Sequence, residues 1–157
     1  MKQLGIERNS LDTVDVRILA MLVDNARVST ADLARKVALS APAVAERIRR
    51  LEEAGVIAGY GARVAPEAIG YPFSAWLRVR PVPGELARVA DIIRAIPEIT
   101  ECDRVTGEDC FLARVRLTSI GELERIIDQI IPYAMTNTAV IQSSPVKPRL
   151  PPVSPSG

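Results

Sequence analysis

Residues 73–144 contain one pattern of elements twice, and this repeat limits the fold of the chain more than any other feature. The segment "FSAWLRVRP" alternates apolar and polar residues with the period of a β-strand, and "CFLARVRL" does the same. Each segment is followed by a turn with the tripeptide Gly-Glu-Leu, at 84–86 and at 121–123, an offset of 37 residues. An amphipathic helix then leads to a further β-prone segment, "ITECDRVT" or "TNTAVIQSS". Strand–helix–strand twice over predicts a ferredoxin-like βαββαβ fold.

The apolar positions of the repeat form the predicted core of this region. In the strands they are Phe73, Ala75, Leu77 and Val79, and then Phe111, Ala113, Val115 and Leu117. In the helices they are Leu86, Val89, Ala90 and Ile93, matched by Leu123, Ile126, Ile127 and Ile130. Because two separate halves of the sequence agree, the pattern favours the ferredoxin-like plan over a chance alternation.

The first third of the chain has three helical segments separated by short turns. The segments begin after residues that are good helix caps, namely Asp12, Ser29 and Ser40. Gly55 can end the third segment. The second and third segments are separated by about three residues, 38–40, which is typical of a helix-turn-helix.

These patterns give the expected organisation of an α+β protein. We expect a helix-turn-helix domain over 1–58 and a short strand with a Gly- and Pro-rich linker over 59–72. The ferredoxin-like domain is expected over 73–146, followed by a proline-rich mobile tail over 147–157.

The third helical segment, within "LSAPAVAERIRRLEEAGVI" at 39–57, has the features of a DNA-reading helix. A core stripe at i, i+4 and i+7 from Val44 would leave Arg47 and Arg50 on a separate stripe, directed away from the first two helices. Small residues near the N-terminus and arginines further along suit the major groove. The alternative is a solvated face with ion pairs to the neighbouring glutamates. The preceding turn and capped helix favour the DNA reader.

The predicted DNA contacts come from the start of the second helix and from the third helix. The candidate residues are Ser29, Thr30, Ser40, Ala41, Pro42, Ala43, Glu46, Arg47, Arg49 and Arg50. On this interpretation Arg47→Ala weakens specific binding by about 1–3 kcal/mol, whereas Arg49→Ala mainly reduces the salt dependence.

Composition argues against several other classes of protein. The sequence has no histidine, so the usual base of serine and cysteine nucleophiles and the commonest metal ligand are missing. Cys102 and Cys110 are the only cysteines, too few for a tetrahedral zinc site. We therefore expect no enzyme, metal or cofactor; the alternative is an enzyme with a cysteine nucleophile on the ferredoxin-like domain.

Charge and hydropathy bear on partners and location. The formal net charge is only +1, so a DNA-binding signal must come from the local placement of charge. The N-terminal segment 1–10 lacks the apolar run of a signal peptide, and no apolar run approaches the roughly 18 residues of a membrane span. We expect a cytoplasmic protein with no membrane partner.

The stretches "LDTVDVRIL", "LARKVALSAPAVAERIRRLEEAGVI" and "VTGEDCFLARV" together resemble the Lrp/AsnC family of bacterial and archaeal transcription regulators, over about residues 11–146. The resemblance implies a winged-type helix-turn-helix, a ligand-sensing domain of ferredoxin-like fold, and action on double-stranded DNA at the nucleoid. It also implies amino acids or related metabolites as effectors, and homodimers that assemble into tetramers or octamers. Trp76 is interpreted as a packing residue of the dimer contact rather than as a ligand platform. Ala38 stands where the family often has Gly, and Cys110 stands where the Gly-x-x-Asp turn has its aspartate.

The turn "RVTGEDCF" is the predicted effector site, and we expect it to join the inner strands of the sheet. Gly107 can take a positive φ, Glu108 and Asp109 can accept from an ammonium group, and free N–H groups can meet a carboxylate. From the residues alone, a plain hairpin is the alternative; the resemblance implies effector binding here, near a subunit contact. The candidates are Val105, Thr106, Gly107, Glu108, Asp109, Cys110, Thr136 and Thr138. For the whole protein, the alternative is a small-molecule binding module whose helical domain docks protein rather than DNA.

Overall fold

The computed structural model describes residues 11–155, so the segment 1–10, where we expect no signal peptide, lies outside the described residues. The chain divides into two compact units. One comprises Met1–Ala62 with Pro148–Gly157, and the other comprises Arg63–Lys147. Within the described range, no helix has both the length and the apolar character needed to cross a membrane.

The first unit contains the three predicted helices, α1 (Thr13–Asp24), α2 (Thr30–Val37) and α3 (Ala41–Glu53). All three predicted caps are confirmed, since the side chains of Asp12, Ser29 and Ser40 each accept a hydrogen bond from a backbone N–H three residues on. A cluster that includes Ile18, Leu33 and Val44, each at most 1% exposed, joins the three helices. Burial of these side chains holds the unit together because short helices are marginal alone.

The turn between α2 and α3 spans residues 38–40, as predicted. Ala38 ends α2 in the left-handed conformation, with φ 58° and ψ 44°. It is the only non-glycine residue with positive φ among those described, and for an alanine this conformation costs about 1 kcal/mol. The backbone N–H of Leu39 donates to the carbonyl of Ala34 at 3.0 Å and closes the turn. The fold thus accepts a side chain where the family often has glycine.

The prediction of a short strand within residues 59–72 is wrong. This segment forms no strand and has a single 3₁₀ helix, Pro66–Ile69. Extended residues become a strand only when their backbone groups pair with a neighbour, and glycines at 59 and 61 and Pro66 interrupt the run. Instead, the Tyr60 hydroxyl donates to Glu52 at 2.7 Å and fixes the chain just after α3.

The second unit has the predicted order βαββαβ. Its elements are β1 (Phe73–Pro81), α4 (Leu86–Ala95), β2 (Ile99–Arg104), β3 (Phe111–Leu117), α5 (Glu122–Ile130) and β4 (Ala134–Val140). The strands form one antiparallel sheet in the order β2-β3-β1-β4. The predicted fold class is confirmed.

The core of this unit lies between one face of the sheet and the two helices. Leu77, Val115 and Leu117 of the sheet and Val89 and Ile126 of the helices are 0% exposed. The alternation expected from the sequence fails at the start of β1, where Phe73 is 42% exposed and Ser74 is buried. The opposite face, called here the open face, carries the alternate residues, among them Trp76, Arg78 and Arg114.

The expected position of the effector turn in the sheet is wrong. Residues 105–110 join β2 to β3, and β2 is an edge strand rather than an inner one. The two central strands, β1 and β3, are separated in the chain by α4 and β2. Hydrophobic patterning sets the face on which each residue lies, whereas the position of a strand in the sheet depends on which strands pair with each other.

Candidate nucleic-acid interface and effector turn

Arg47 does not point away from the first two helices, so the predicted direction of its side chain is wrong. Its guanidinium Nη1 donates to Asp12 Oδ2 at 2.6 Å and to Asp15 Oδ1 at 2.7 Å, both at the start of α1. The Asp15 side chain is 2% exposed and that of Arg47 is 25% exposed. Arg47 therefore clamps α3 to α1.

The cause of this clamp can be found in α1. Asp15 shares a helical stripe with Ile18, Leu19 and Leu22, so packing the stripe into the core also buries a carboxylate. A buried carboxylate requires hydrogen-bond donors or a cation. Arg47 lies at the margin of the core stripe of α3 and reaches it. An acidic residue on an apolar stripe was the signal that sequence reasoning missed.

The clamp also includes the cap of α1. Asp15 N–H donates to Asp12 Oδ1 at 2.8 Å, and Asp12 N–H donates to Asp15 Oδ2 at 3.3 Å. The backbone N–H of Asp15, and then the hydrogen bond from Arg47, hold the pKa of Asp12 below its usual value. Hydrogen bonds to the two aspartates raise the pKa of Arg47.

Arg49 and Arg50 are exposed, as predicted, but Arg49 is paired along its own helix. Its Nη2 lies 2.6 Å from Glu46 Oε1, and its Nη1 contacts Glu53. These pairs match the alternative stated for this helix, a solvated face on which arginines form ion pairs with neighbouring glutamates. Arg50 lies 4.0 Å from Asp15 Oδ2 and is 58% exposed. Arg50 has only this long contact with a carboxylate of the described residues, so it is more available than Arg49 to pair with an external anion.

The start of α3 is the accessible part of the predicted interface. Ser40 and Pro42 are exposed, and Ala41 and Ala43 are partly exposed. The first turn of α3 has no acidic residue, whereas the first turns of α1 and α2 each have an aspartate. At the start of α2, Ser29 is exposed and Thr30 is partly exposed, although the Ser29 hydroxyl already binds Asp32. The positive end of α3 is therefore open to an anion.

Three residues that the sequence reasoning did not name belong to the same unit. Ala45 is exposed on the outer face of α3. Arg27, in the turn before α2, and Lys36, in the last turn of α2, are exposed and form no salt bridge with any residue of the described range. Their identity as Lys and Arg was visible in the sequence, but their lack of partners was not.

The effector turn is held by arginines of β1. Arg78 Nε donates to Asp109 Oδ2 at 2.7 Å, and Arg80 pairs with Glu108. The Asp109 side chain is 19% exposed and that of Glu108 is 85% exposed, so Asp109 is the fixed carboxylate. Gly107 has φ 112°, and a β-carbon there would meet nothing within 4 Å. The glycine is needed for the conformation rather than for space.

Backbone hydrogen bonds close this turn at its base. Val105 N–H donates to the Cys110 carbonyl at 3.0 Å, and Cys110 N–H donates to the Val79 carbonyl at 3.0 Å. Cys110 packs against the core cluster, so it does not present its thiol in the way that an aspartate would present a carboxylate. The N–H groups of Thr106 and Gly107 donate to no residue in the described part of the chain.

Thr136 and Thr138 are not brought together with the carboxylates of the turn. They pair with Val79 and Leu77 in the register of β4 with β1, and so lie on the helix-covered side of the sheet. Asp109 contacts Arg78, which lies on the open face. Across the residues that the structure describes, no cluster of acidic or cysteine side chains could hold a metal ion.

Comparison with known protein families shows which class of protein this chain belongs to. Residues 11–58 match winged helix-turn-helix DNA-binding domains, and residues 74–151 match the Lrp/AsnC ligand binding domain. These two domains in this order define a DNA-binding transcription regulator with a ligand-binding domain.

Individual relatives then identify the family. The transcriptional regulator LrpC of Bacillus subtilis is 34% identical over 85% of this chain and 92% of its own, and LrpA of Mycobacterium tuberculosis is 34% identical over 82% and 87%. The structure of LrpC gives a TM-score of 0.80 at 34% identity, over 85% of this chain and 96% of its own. The feast or famine regulatory protein Rv3291c of M. tuberculosis, complexed with L-methionine, gives 0.82 at 31% identity, over 91% and 99%. The chain belongs to the Lrp/AsnC family of transcription regulators, as its motifs indicated.

Proposed function

We propose that this regulator binds double-stranded chromosomal DNA in the cytoplasm as a homodimer or a larger assembly. In this proposal, an amino acid or a related small metabolite, bound at residues 105–110, changes the assembly or the DNA affinity. The observation that carries the DNA part is the start of α3, which is exposed, built of small residues and free of acidic side chains in its first turn.

DNA contacts are assigned to the start of α3, with Ser40, Pro42 and Ala43 against base edges and Arg50 on the backbone. The positive end of the helix favours phosphate, and small side chains allow close approach to the groove. Arg27 adds a phosphate contact because it is exposed beside α2 and has no ion-pair partner in the described range. Arg47 supports this surface from behind.

The effector is assigned to the turn between β2 and β3. The N–H groups of Thr106 and Gly107 would receive its carboxylate, and Asp109 would receive its ammonium group. The pairing of Asp109 with Arg78 holds the carboxylate in place before the ligand arrives. The L-methionine complex of Rv3291c supports the choice of an amino acid.

The open face of the sheet is assigned to the contact between two copies. Trp76 lies there under the Arg114 guanidinium, which is 5.3 Å from the ring centroid. One α3 offers too few contacts for specificity, so a dimer would present two of these helices to half-sites about 34 Å apart. Assembly of dimers into tetramers or octamers would bring effector turns near subunit contacts. A ligand shifts such an assembly only by binding one form better.

A fluorescence-anisotropy titration tests both parts of the proposal. The probe is duplex DNA from upstream of the protein's own gene, at fixed salt, with and without each proteinogenic amino acid. Specific binding that at least one amino acid shifts is expected in the parent and in the matched control Glu108→Gln, and the shift is expected to disappear in Asp109→Asn.

Other outcomes of this titration would contradict the effector part or the DNA part of the proposal separately. A shift that persists in Asp109→Asn would overturn the assigned effector site. Retained affinity for amino acids, with no binding to any duplex from a genomic fragment selection even at low salt, would favour a helical domain that docks protein.

A further inference from the structure

A groove of about 440 Å³ lies between α4 and β2 in the second unit. The groove exists because the helices α4 and α5 do not cover the edge strand β2. Cys102 and Arg104 of β2 pair with Ala113 and Phe111 of β3 and so face the helix-covered side, yet both are exposed. β2 has no buried residue, unlike the other three strands.

The floor of the groove is apolar. Leu86, Ala90 and Ile93 contribute it from α4, and Phe111 contributes it from β3. Ile93 and Phe111 belong to the core cluster, so this floor is the exposed margin of a packed and ordered core. Burial of this apolar surface favours a ligand with an apolar body.

The walls of the groove carry only positive charge. Arg94 and Arg104 both line it, and no lining residue has a carboxylate. Arg94 pairs with Asp91, which lies outside the lining. The guanidinium of Arg104 forms no salt bridge with any residue between 11 and 155, and it therefore remains available to an anion.

We propose that this groove binds a small monocarboxylate with an aromatic or branched apolar body, and that Arg104 holds its carboxylate. A guanidinium matches a carboxylate with two parallel hydrogen bonds. The volume is within the range of small-molecule sites. An ammonium group on the same ligand would find no carboxylate among the lining residues and would face the guanidinium of Arg104, which is unpaired within the described range, so the groove selects against amino acids.

This site is distinct from the proposed effector turn. The carboxylates of that turn contact Arg78 and Arg80 on the open face, whereas the groove opens on the helix-covered side. The groove is proposed independently of the effector turn. A ligand with an ammonium group is expected to prefer the turn, and a ligand without one is expected to prefer the groove.

Isothermal calorimetry on the full chain tests the proposal with three probes that share one body. 3-Phenylpropanoate is expected to bind. L-Phenylalanine, which adds the ammonium, is measured on the Asp109→Asn variant so that the effector turn does not contribute. L-Phenylalanine and 3-phenylpropanamide, which removes the charge, are each expected to bind the groove at least about tenfold more weakly. Arg104→Gln should weaken binding of 3-phenylpropanoate about tenfold, and Ala87→Trp, at an exposed lining position, should abolish it.

Two matched variants control for indirect effects. Arg88→Gln changes an exposed arginine of α4 that lies over Tyr133, away from the groove, and it should leave the affinity unchanged. Asp109→Asn should also leave it unchanged, so failure of the effector proposal and failure of this one are distinguishable. The proposal is overturned if 3-phenylpropanoate fails to bind at about 10 mM, if the amide binds equally, or if either Arg104→Gln or Ala87→Trp leaves binding unchanged.

Discussion

The Nη1 atom of Arg47 in α3 lies 2.7 Å from Oδ1 of Asp15 in α1, and the Asp15 side chain is 2% exposed. This contact joins α3 to the first helix of the unit. It places an arginine that looked like a DNA contact inside the protein's own framework. Removing one partner of such a pair is costly because it leaves the other charge buried without compensation.

Arg47→Ala is expected to lower the free energy of unfolding by about 2–4 kcal/mol, because the carboxylate of Asp15 loses its cation. Urea denaturation measures the change. The matched control is Arg49→Ala, which removes an exposed arginine of the same helix and should change stability by less than about 0.5 kcal/mol. A variant Arg47→Ala that is as stable as the parent but fails to bind DNA would restore Arg47 as a direct contact.

Ala38→Gly is expected to raise the free energy of unfolding by about 0.5–1 kcal/mol, since glycine adopts the left-handed conformation without the steric cost that alanine carries. The reciprocal control is Gly55→Ala, at φ 70° just after α3, which should lower it by about 1 kcal/mol. Thermal or urea melting of both variants is the measurement. Destabilisation by Ala38→Gly would mean that the Ala38 methyl makes contacts that outweigh its strain.

Acid is expected to destabilise the first unit in part through Asp12. The folded pKa of this carboxyl is lowered, so its contribution is present above the unfolded pKa, near 3.8, and is lost as the pH falls through the folded value. A carboxyl-detected NMR titration should show the lowered pKa. Because the Asp15 N–H is its largest cause, Arg47→Ala should return the pKa only part of the way. A complete return to the usual value would assign the whole effect to Arg47.

The Glu46 carboxylate accepts two hydrogen bonds from Arg49 on α3, and we expect this pairing to limit the affinity for DNA. Glu46→Gln removes a negative charge and weakens the hold on Arg49. We expect non-specific DNA affinity to rise about 3–10-fold at low salt, with a salt slope steeper by about 1. Anisotropy against a scrambled duplex at several salt concentrations measures this. Glu124→Gln on α5 is the control, and equal effects of the two variants would contradict the local mechanism.

Local features were predictable from the sequence. The caps Asp12, Ser29 and Ser40 act on N–H groups three residues away, so their patterns are complete within one short segment. The alternation in β1 and β3 was equally reliable because burial imposes a period of two. The repeat at an offset of 37 then determined the fold class.

Features that depend on distant partners were not predictable in the same way. A helical projection placed Arg47 on a stripe directed away from the first two helices and could not show that Asp12 and Asp15 lie within its reach. Thr136 and Thr138 were grouped with the effector turn, and the strand register puts them on the other side of the sheet. The absence of a strand in 59–72 likewise follows from pairing rather than from composition.

The start of α3 is the surface that we propose meets DNA. The most direct test is an anisotropy titration of the parent and of Ala45→Glu against a duplex that the parent selects from genomic fragments, with a scrambled duplex as reference. Ala45 is exposed on the outer face of α3, so the substitution should leave the melting temperature unchanged. We predict that the parent prefers the selected duplex by at least about 1000-fold and that Ala45→Glu lowers its affinity at least about tenfold through repulsion of the phosphates. Equal affinities of a folded Ala45→Glu variant and the parent would contradict the assignment of α3 as the reading helix.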